Sequence, residues 1–218
     1  MSSRFNFEIY TLATTGLTEL AQAQESGRVP RAPISEAHYF SAWVTRAIKQ
    51  QRFAHSTAKQ LKAWQKQART QGKGAALKDL FERIAAIYGP LLHGTEEMAM
   101  VTMRQLEALA EEADAAGWVV EPEEVIDGPF IHHTDGQGSL VLCAKQQQTH
   151  FLNDDELIKP ISLYLRGDMS AFIAMAYRHG LLLHKVTDYK SLVKYHGEYL
   201  LYPANAGPIL AELPALID

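Results

Sequence analysis

The sequence predicts an α+β fold, mainly α, with a helical N-terminal half followed by a smaller mixed α/β C-terminal half. Three observations predict it. Large apolar residues recur at spacings of three and four through residues 1–117, the period that lines one face of a helix. Proline and glycine interrupt that pattern about once per helix length. From residue 118 onward the pattern turns to short apolar runs separated by turn residues, as strands do. With 218 residues, 47% hydrophobic and 21% charged, the chain can bury a substantial core as one large domain or two small ones.

Helical periodicity begins with Ile9, Leu12, Ala13, Leu17 and Leu20, between Phe5 and Ser26, and Gly27 is placed to end that helix. Val29-Pro30-Arg31-Ala32-Pro33 must run extended, because proline disfavours helix at its own position and the one before. Ser35 is the expected cap of a second helix, with Phe40, Trp43, Val44, Ala47 and Ile48 as its buried stripe. A break from Phe53 to Ser56 precedes a third helix, Thr57 to about Gln71, closed by Gly72 and Gly74. A fourth turns Leu77, Leu80, Phe81, Ile84 and Ile87 inward and stops at Gly89-Pro90. In the fifth, Thr102 and Gln105 fit a capping box, and Leu106, Leu109 and Ala113 lead to Gly117. Trp43, Trp64, Leu80, Phe81 and Leu109 are expected to share one core.

Residues 118–218 form the mixed region. Glu121-Pro122-Glu123-Glu124 reads as an acidic loop. Phe130-Ile131-His132 and Leu140-Val141-Leu142-Cys143 flank Thr134-Asp135-Gly136-Gln137-Gly138, which predicts a β-hairpin. Asn153-Asp154-Asp155-Glu156 reads as a helix start, where carboxylates favour the positive end of the dipole. Asp168 is expected to cap a helix through Met169, Phe172, Ile173 and Ala176 that ends at Gly180. Leu181-Leu182-Leu183 reads as a strand, Asp188 to His196 as a short helix, and Glu198 to Tyr202 as another strand.

Charge is distributed unevenly. From Arg28 to Lys78 there are eleven basic residues against one acid, Glu36, so that segment carries +10; the chain is −4, which leaves −14 elsewhere. On the third helix Lys59, Lys62, Lys66, Arg69 and Lys73 fall on one stripe, opposite Leu61, Trp64 and Ala68. Arg46, Lys49 and Arg52 add to it from the second helix and its end, and Gln60, Gln67 and Gln71 lie along one flank. A row of cations along a helix tracks the phosphates of DNA or RNA, and neighbouring glutamines reach base edges. The break between the second and third helices permits a helix-turn-helix, although the tight apolar and glycine pattern of that turn is missing. The competing readings are an acidic protein partner and a solvated face that keeps an amphipathic helix soluble.

Several classes are excluded or left without a motif. The lone Cys143 rules out a disulfide framework and a cysteine-rich zinc module, and its apolar surroundings mark it as buried. No stretch approaches the roughly 20 apolar residues of a membrane span, and the N-terminus does not read as a signal peptide. A soluble, cytoplasmic protein is expected. No phosphate-binding or dinucleotide glycine motif occurs, so no cofactor is called for; no metal-binding spacing occurs among the nine histidines. His132, Asp135, Cys143 and His150, with His133 beside the first, are close enough in sequence to gather across the expected hairpin.

The residues Pro33-Ile34-Ser35, His38, Trp43, Ala47, Lys49, Gln51-Arg52-Phe53, Trp64-Gln65-Lys66 and Gly72 resemble a gammaproteobacterial family known as domain of unknown function 2913. The similarity extends to the helix around Leu106 and to Ala116-Gly117-Trp118. The resemblance implies a bacterial cytoplasmic protein and carries no activity with it. Two functional expectations follow from the residues: a non-enzymatic protein whose basic helix contacts an anionic partner, or a small enzyme with a histidine-containing site in the C-terminal half.

Overall fold

The computed structural model of the protein describes residues 4–92, 94–153 and 155–215. The chain divides into two units, Met1–Glu97 with Pro208–Leu210, and Met98–Gly207 with Ala211–Asp218.

The first unit holds four helices: α1 (Phe5–Glu25), α2 (Pro33–Lys49), α3 (Ala58–Gln71) and α4 (Leu77–Leu92). Phe81 of α4 is the centre of its core. The rings of Trp64, Phe40 and Trp43 stand 4.9, 5.0 and 5.9 Å from it, mostly edge-to-face. Gly16 of α1 lets the ring of Phe81 approach, since a Cβ there would lie 2.9 Å from it. Two helix boundaries differ from expectation. Extended Ala32 is the cap of α2 and Pro33 its first residue, ahead of Ser35, because proline's missing N–H costs nothing in a first turn. Helix α4 continues through Gly89 and Pro90, giving up a bond there to bury Leu92.

The second unit is a five-stranded sheet with helices on one face. Its elements are α5 (Met103–Ala115), β1 (Val119–Glu123), β2 (Ser139–Cys143), α6 (Ala144–His150), β3 (Phe151–Leu152), β4 (Glu156–Leu157), β5 (Ile161–Arg166), α7 (Met169–Arg178), β6 (Leu183–Thr187) and β7 (Gly197–Leu201). The large sheet has the order β1-β2-β5-β7-β6, with β1 parallel to β2 and the remaining pairs antiparallel. Strands β3 and β4 make a separate small pair. Leu140, Leu142, Leu163, Leu165 and Leu201 face one core with Phe172 and Met175 of α7 and Leu106, Leu109 and Ala113 of α5.

Leu109 therefore leaves the core of Trp43, Trp64 and Phe81, and the units divide ahead of α5. The backbone entering α5 explains this. Met103 N–H donates to Asp155, Leu157 N–H donates to Val101, and Thr102 bridges Glu156, so the helix starts already tied to β4. The predicted capping box at Thr102 and Gln105 is present. Asp168 caps α7 as expected, accepting from Ala171 N–H at 3.1 Å.

Four local readings are corrected. The hairpin across residues 134–138 does not form, because both edges of β2 are occupied by β1 and β5. A parallel β1–β2 pair also requires a long crossover, here residues 124–138. Glu121-Pro122-Glu123 lies in β1, where proline is tolerated because an edge strand pairs on one side only. Asp188 to His196 is an irregular connection with Tyr195 at φ +67°, not a helix. Asn153 follows β3 at φ +51° and Glu156 opens β4, paired with Leu152, so no helix starts there; Asp154 lies outside the described residues. Among the described residues no helix is long and apolar enough to cross a membrane.

Candidate functional site

Helix α3 separates its two faces cleanly. Leu61, Trp64 and Ala68 are buried at spacings of three and four, while Lys59, Lys62, Lys66 and Arg69 are exposed. Lys73 is exposed in the short 3-10 turn Gly72–Ala75 that follows, and Arg46 and Lys49 are exposed in the last two turns of α2. Among the described residues no carboxylate lies within ion-pair distance of any of these seven cations. Of the flanking glutamines Gln67 is engaged, its amide donating to the Ala75 carbonyl at 3.2 Å, while Gln71 is exposed. Between α2 and α3 the chain spends Gln50 through Thr57, including a 3-10 turn at His55–Thr57, a longer connection than a helix-turn-helix uses.

Arg52 behaves differently from the other predicted cations. Its guanidinium is forked onto both carboxylate oxygens of Glu19, and Glu19 also accepts from Trp43 Nε1 at 2.7 Å. The guanidinium carbon stands 5.3 Å from the Phe53 ring and 5.8 Å from the Trp43 ring, within cation–π range. The hydrogen bonds from Arg52 hold the Glu19 carboxyl below the usual carboxylate range, and the same pairing raises Arg52. Arg52 is thus fixed in the structure of the first unit.

The histidines gather in another way than their spacing suggests. On β2, Ser139 and Val141 alternate with Leu140 and Leu142, so they face away from the helices. That face is covered by residues 124–138 and 188–196, which join where Phe130 N–H donates to the Leu192 carbonyl and Lys194 N–H donates to the Phe130 carbonyl. Under them Ser139 Oγ lies 2.7 Å from His196 Nε2, and His196 Nδ1 lies 2.9 Å from the Lys194 carbonyl. A carbonyl only accepts, so Nδ1 carries the proton and Nε2 accepts from the serine hydroxyl. The His132 ring stacks edge-on against His196 at 5.8 Å. His132 Nε2 and Thr134 Oγ1 are buried without a hydrogen-bond partner among the described residues. Burial, with a smaller contribution from His132, lowers the pKa of His196 and keeps it neutral.

Of the residues expected around His132, the others go elsewhere. Cys143 sits at the far end of β2, about 13 Å along the strand from Ser139. His150 Nδ1 bonds the Pro160 carbonyl at 2.7 Å, and His133 and Asp135 are exposed. No group of three or more histidine, cysteine or carboxylate side chains among the described residues could hold a metal ion. Ser139 and His196 stand 57 positions apart in the chain, and only the face parity of β2 hinted that Ser139 would meet a loop.

A family model described as "Protein of unknown function (DUF2913)" matches residues 4–214. The chain belongs to that family. The match takes in both units, so the cation face of α2 and α3 and the buried Ser139–His196 pair both lie in family sequence. No curated protein and no solved structure matches the chain.

Proposed function

We propose that this family member binds nucleic acid, without catalysis, through Lys59, Lys62, Lys66, Arg69 and Lys73, supported by Arg46 and Lys49. The observation that carries the reading is the set of seven exposed cations with no carboxylate partner among the described residues, in a chain with 25 acidic residues. A solvated helix face needs only a few charges of either sign, whereas a one-signed row supplies the counterion-release energy that dominates binding to a phosphate backbone. Arg52, forked on Glu19, serves this surface by fixing the corner that carries it. The connection of Gln50 through Thr57 favours backbone contact over groove reading by a helix-turn-helix. A cytoplasmic setting fits the lone, unpaired Cys143.

The enzyme reading has a specific arrangement in its favour, a serine hydroxyl donating to a neutral imidazole. Both side chains are wholly buried, so a substrate has no approach to the serine oxygen without displacing the covering loops. Fluorescence anisotropy at low salt with labelled duplex and single-stranded DNA and RNA tests the proposal. Saturable binding that Lys62→Glu with Lys66→Glu weakens on every sequence supports it. No binding to any of the four probes overturns it and leaves an acidic protein as the partner.

A further inference from the structure

A cleft of about 610 Å³ runs between α1 and α2, and its polar lining is dominated by Arg28, Arg46 and Arg52, with Tyr39 and Gln50. One carboxylate faces it, Glu19, and that carboxylate is fully engaged by Arg52 and by the Trp43 indole. Three guanidinium groups against one carboxylate leave the cleft at +2. Arg28 comes from the turn that closes α1, its N–H donating to the Ala23 carbonyl and its Nε donating to Ser26 Oγ at 2.9 Å. Arg46 comes from the last two turns of α2. Among the described residues neither has a carboxylate within ion-pair distance, and both line the cleft.

We infer that this cleft is a binding site for a small phosphate monoester, with Arg28 and Arg46 gripping the phosphate and the Glu19-fixed Arg52 completing a wall of positive charge. Guanidinium forks match phosphate oxygens two at a time, which lysine does not do, and the cations lining this cleft are all arginines. A phosphate monoester carries about −1.5 to −2 near neutral pH, which matches the +2 of the cleft, whereas a single carboxylate would leave it half-neutralised. The volume suits a ligand of nucleotide size. Arg52 is already ordered by its fork with Glu19, so it lines the cleft without the entropy loss of ordering a long side chain on binding, and the net +2 stands for Arg28 and Arg46. The Tyr39 hydroxyl and the Gln50 amide are further donors in the lining. This site is separate in its residues from the α3 lysines and shares only Arg46 with the proposed nucleic-acid face.

Titration calorimetry of the full chain with adenosine 5′-monophosphate, inorganic phosphate and adenosine tests the inference. The first two should bind saturably and adenosine should not. Arg28→Gln should weaken binding by about tenfold or more, as loss of a charge-assisted fork does, with an unchanged thermal midpoint in the absence of ligand. Lys62→Glu with Lys66→Glu should leave adenosine monophosphate binding intact, so failure of the nucleic-acid reading and failure of this one are separable. Absence of saturable binding by both phosphate probes overturns the inference, as does undiminished binding in Arg28→Gln. Displacement of adenosine monophosphate by an oligonucleotide without terminal phosphates would also overturn it, by showing that the cleft reads internal diesters.

Discussion

Ser139 Oγ donates to His196 Nε2 at 2.7 Å across 57 residues of chain, beneath two connections that have no helix or regular strand of their own. This bond ties the connection of residues 188–196 to the face of the sheet opposite α5 and α7. Replacing Ser139 with alanine leaves a buried imidazole nitrogen without a donor, which should cost about 1–3 kcal/mol in urea unfolding. Ser139→Thr keeps the hydroxyl and should cost less. Equal stability of Ser139→Ala and the parent would sink this account of how the loops are held.

The same group predicts a pH dependence. Burial lowers the pKa of His196 in the folded protein below its unfolded value of about 6.5. The fold therefore gains stability from the neutral imidazole above that pH and loses it as pH falls, because the unfolded chain takes up the proton first. His132 faces His196, and Arg166 adds a further unfavourable charge. Chemical denaturation should show stability declining below about pH 6.5 in the parent, and a shallower decline in His196→Gln.

Trp64 is 2% exposed and packs on Phe81, the ring around which the first unit closes. Trp64→Ala should cost roughly 3–5 kcal/mol, read as a lowered thermal midpoint. A loss below one kilocalorie, about the cost of a surface change, would mean that the α3–α4 contact is not part of the core.

How far the sequence was legible follows the range of the interactions. Trp43, Trp64 and Phe81 were readable because helical spacing is local, and Thr102 with Gln105 because a cap is written within four residues. Leu109 carried the same helical spacing, yet its partners lie on strands beyond residue 139, which periodicity cannot reveal. Phe130 was apolar and β-prone, but whether it could pair depended on the two edges of β2, both taken by other strands. The lysines of α3 were placed correctly as an exposed stripe because their face is the complement of a local apolar one. Arg52 looked identical to them in sequence, and only the fold brings Glu19, 33 residues away, onto it.

Thr102 gives the most local test. Its hydroxyl accepts from Gln105 N–H while the Gln105 amide oxygen accepts from Thr102 N–H at 2.8 Å. Thr102→Ala should cost about 0.5–2 kcal/mol, and Thr102→Ser should restore most of it. Differential scanning calorimetry of the three proteins decides the matter; no difference between alanine and serine would remove the cap from the stability of α5.

Glu19 predicts an acid limb. Its carboxyl is held below the usual range first by the hydrogen bond from Arg52 and then by the indole of Trp43, against the opposing effect of burial. A carboxyl depressed in the fold contributes stability above its unfolded pKa and loses it as pH falls through the folded one. The parent should therefore destabilise on acidification below about pH 4, in the ordinary carboxylate range, and Glu19→Gln should flatten that limb. The glutamine keeps an acceptor for Trp43, so Trp43 fluorescence should change little at pH 7. A steep acid limb unchanged in Glu19→Gln would place the acid sensitivity on other carboxylates.

Salt dependence distinguishes phosphate contact from any other use of the α3 cations. Each phosphate neutralised on duplex DNA releases counterions and contributes roughly −0.9 to the slope of log affinity against log salt. Five contacts from Lys59, Lys62, Lys66, Arg69 and Lys73 give an expected slope of about −4 to −5. Lys62→Gln with Lys66→Gln removes two of them and should shallow the slope by about 2, with no change in sequence preference. Glutamine serves better than glutamate in this measurement, since it removes contacts without adding repulsion. Both variants lie on the exposed face of α3, away from Leu61, Trp64 and Ala68, so the fold should be unaffected by circular dichroism. A slope that stays at the parent's value in the double variant would mean that bound phosphates are held elsewhere on the protein.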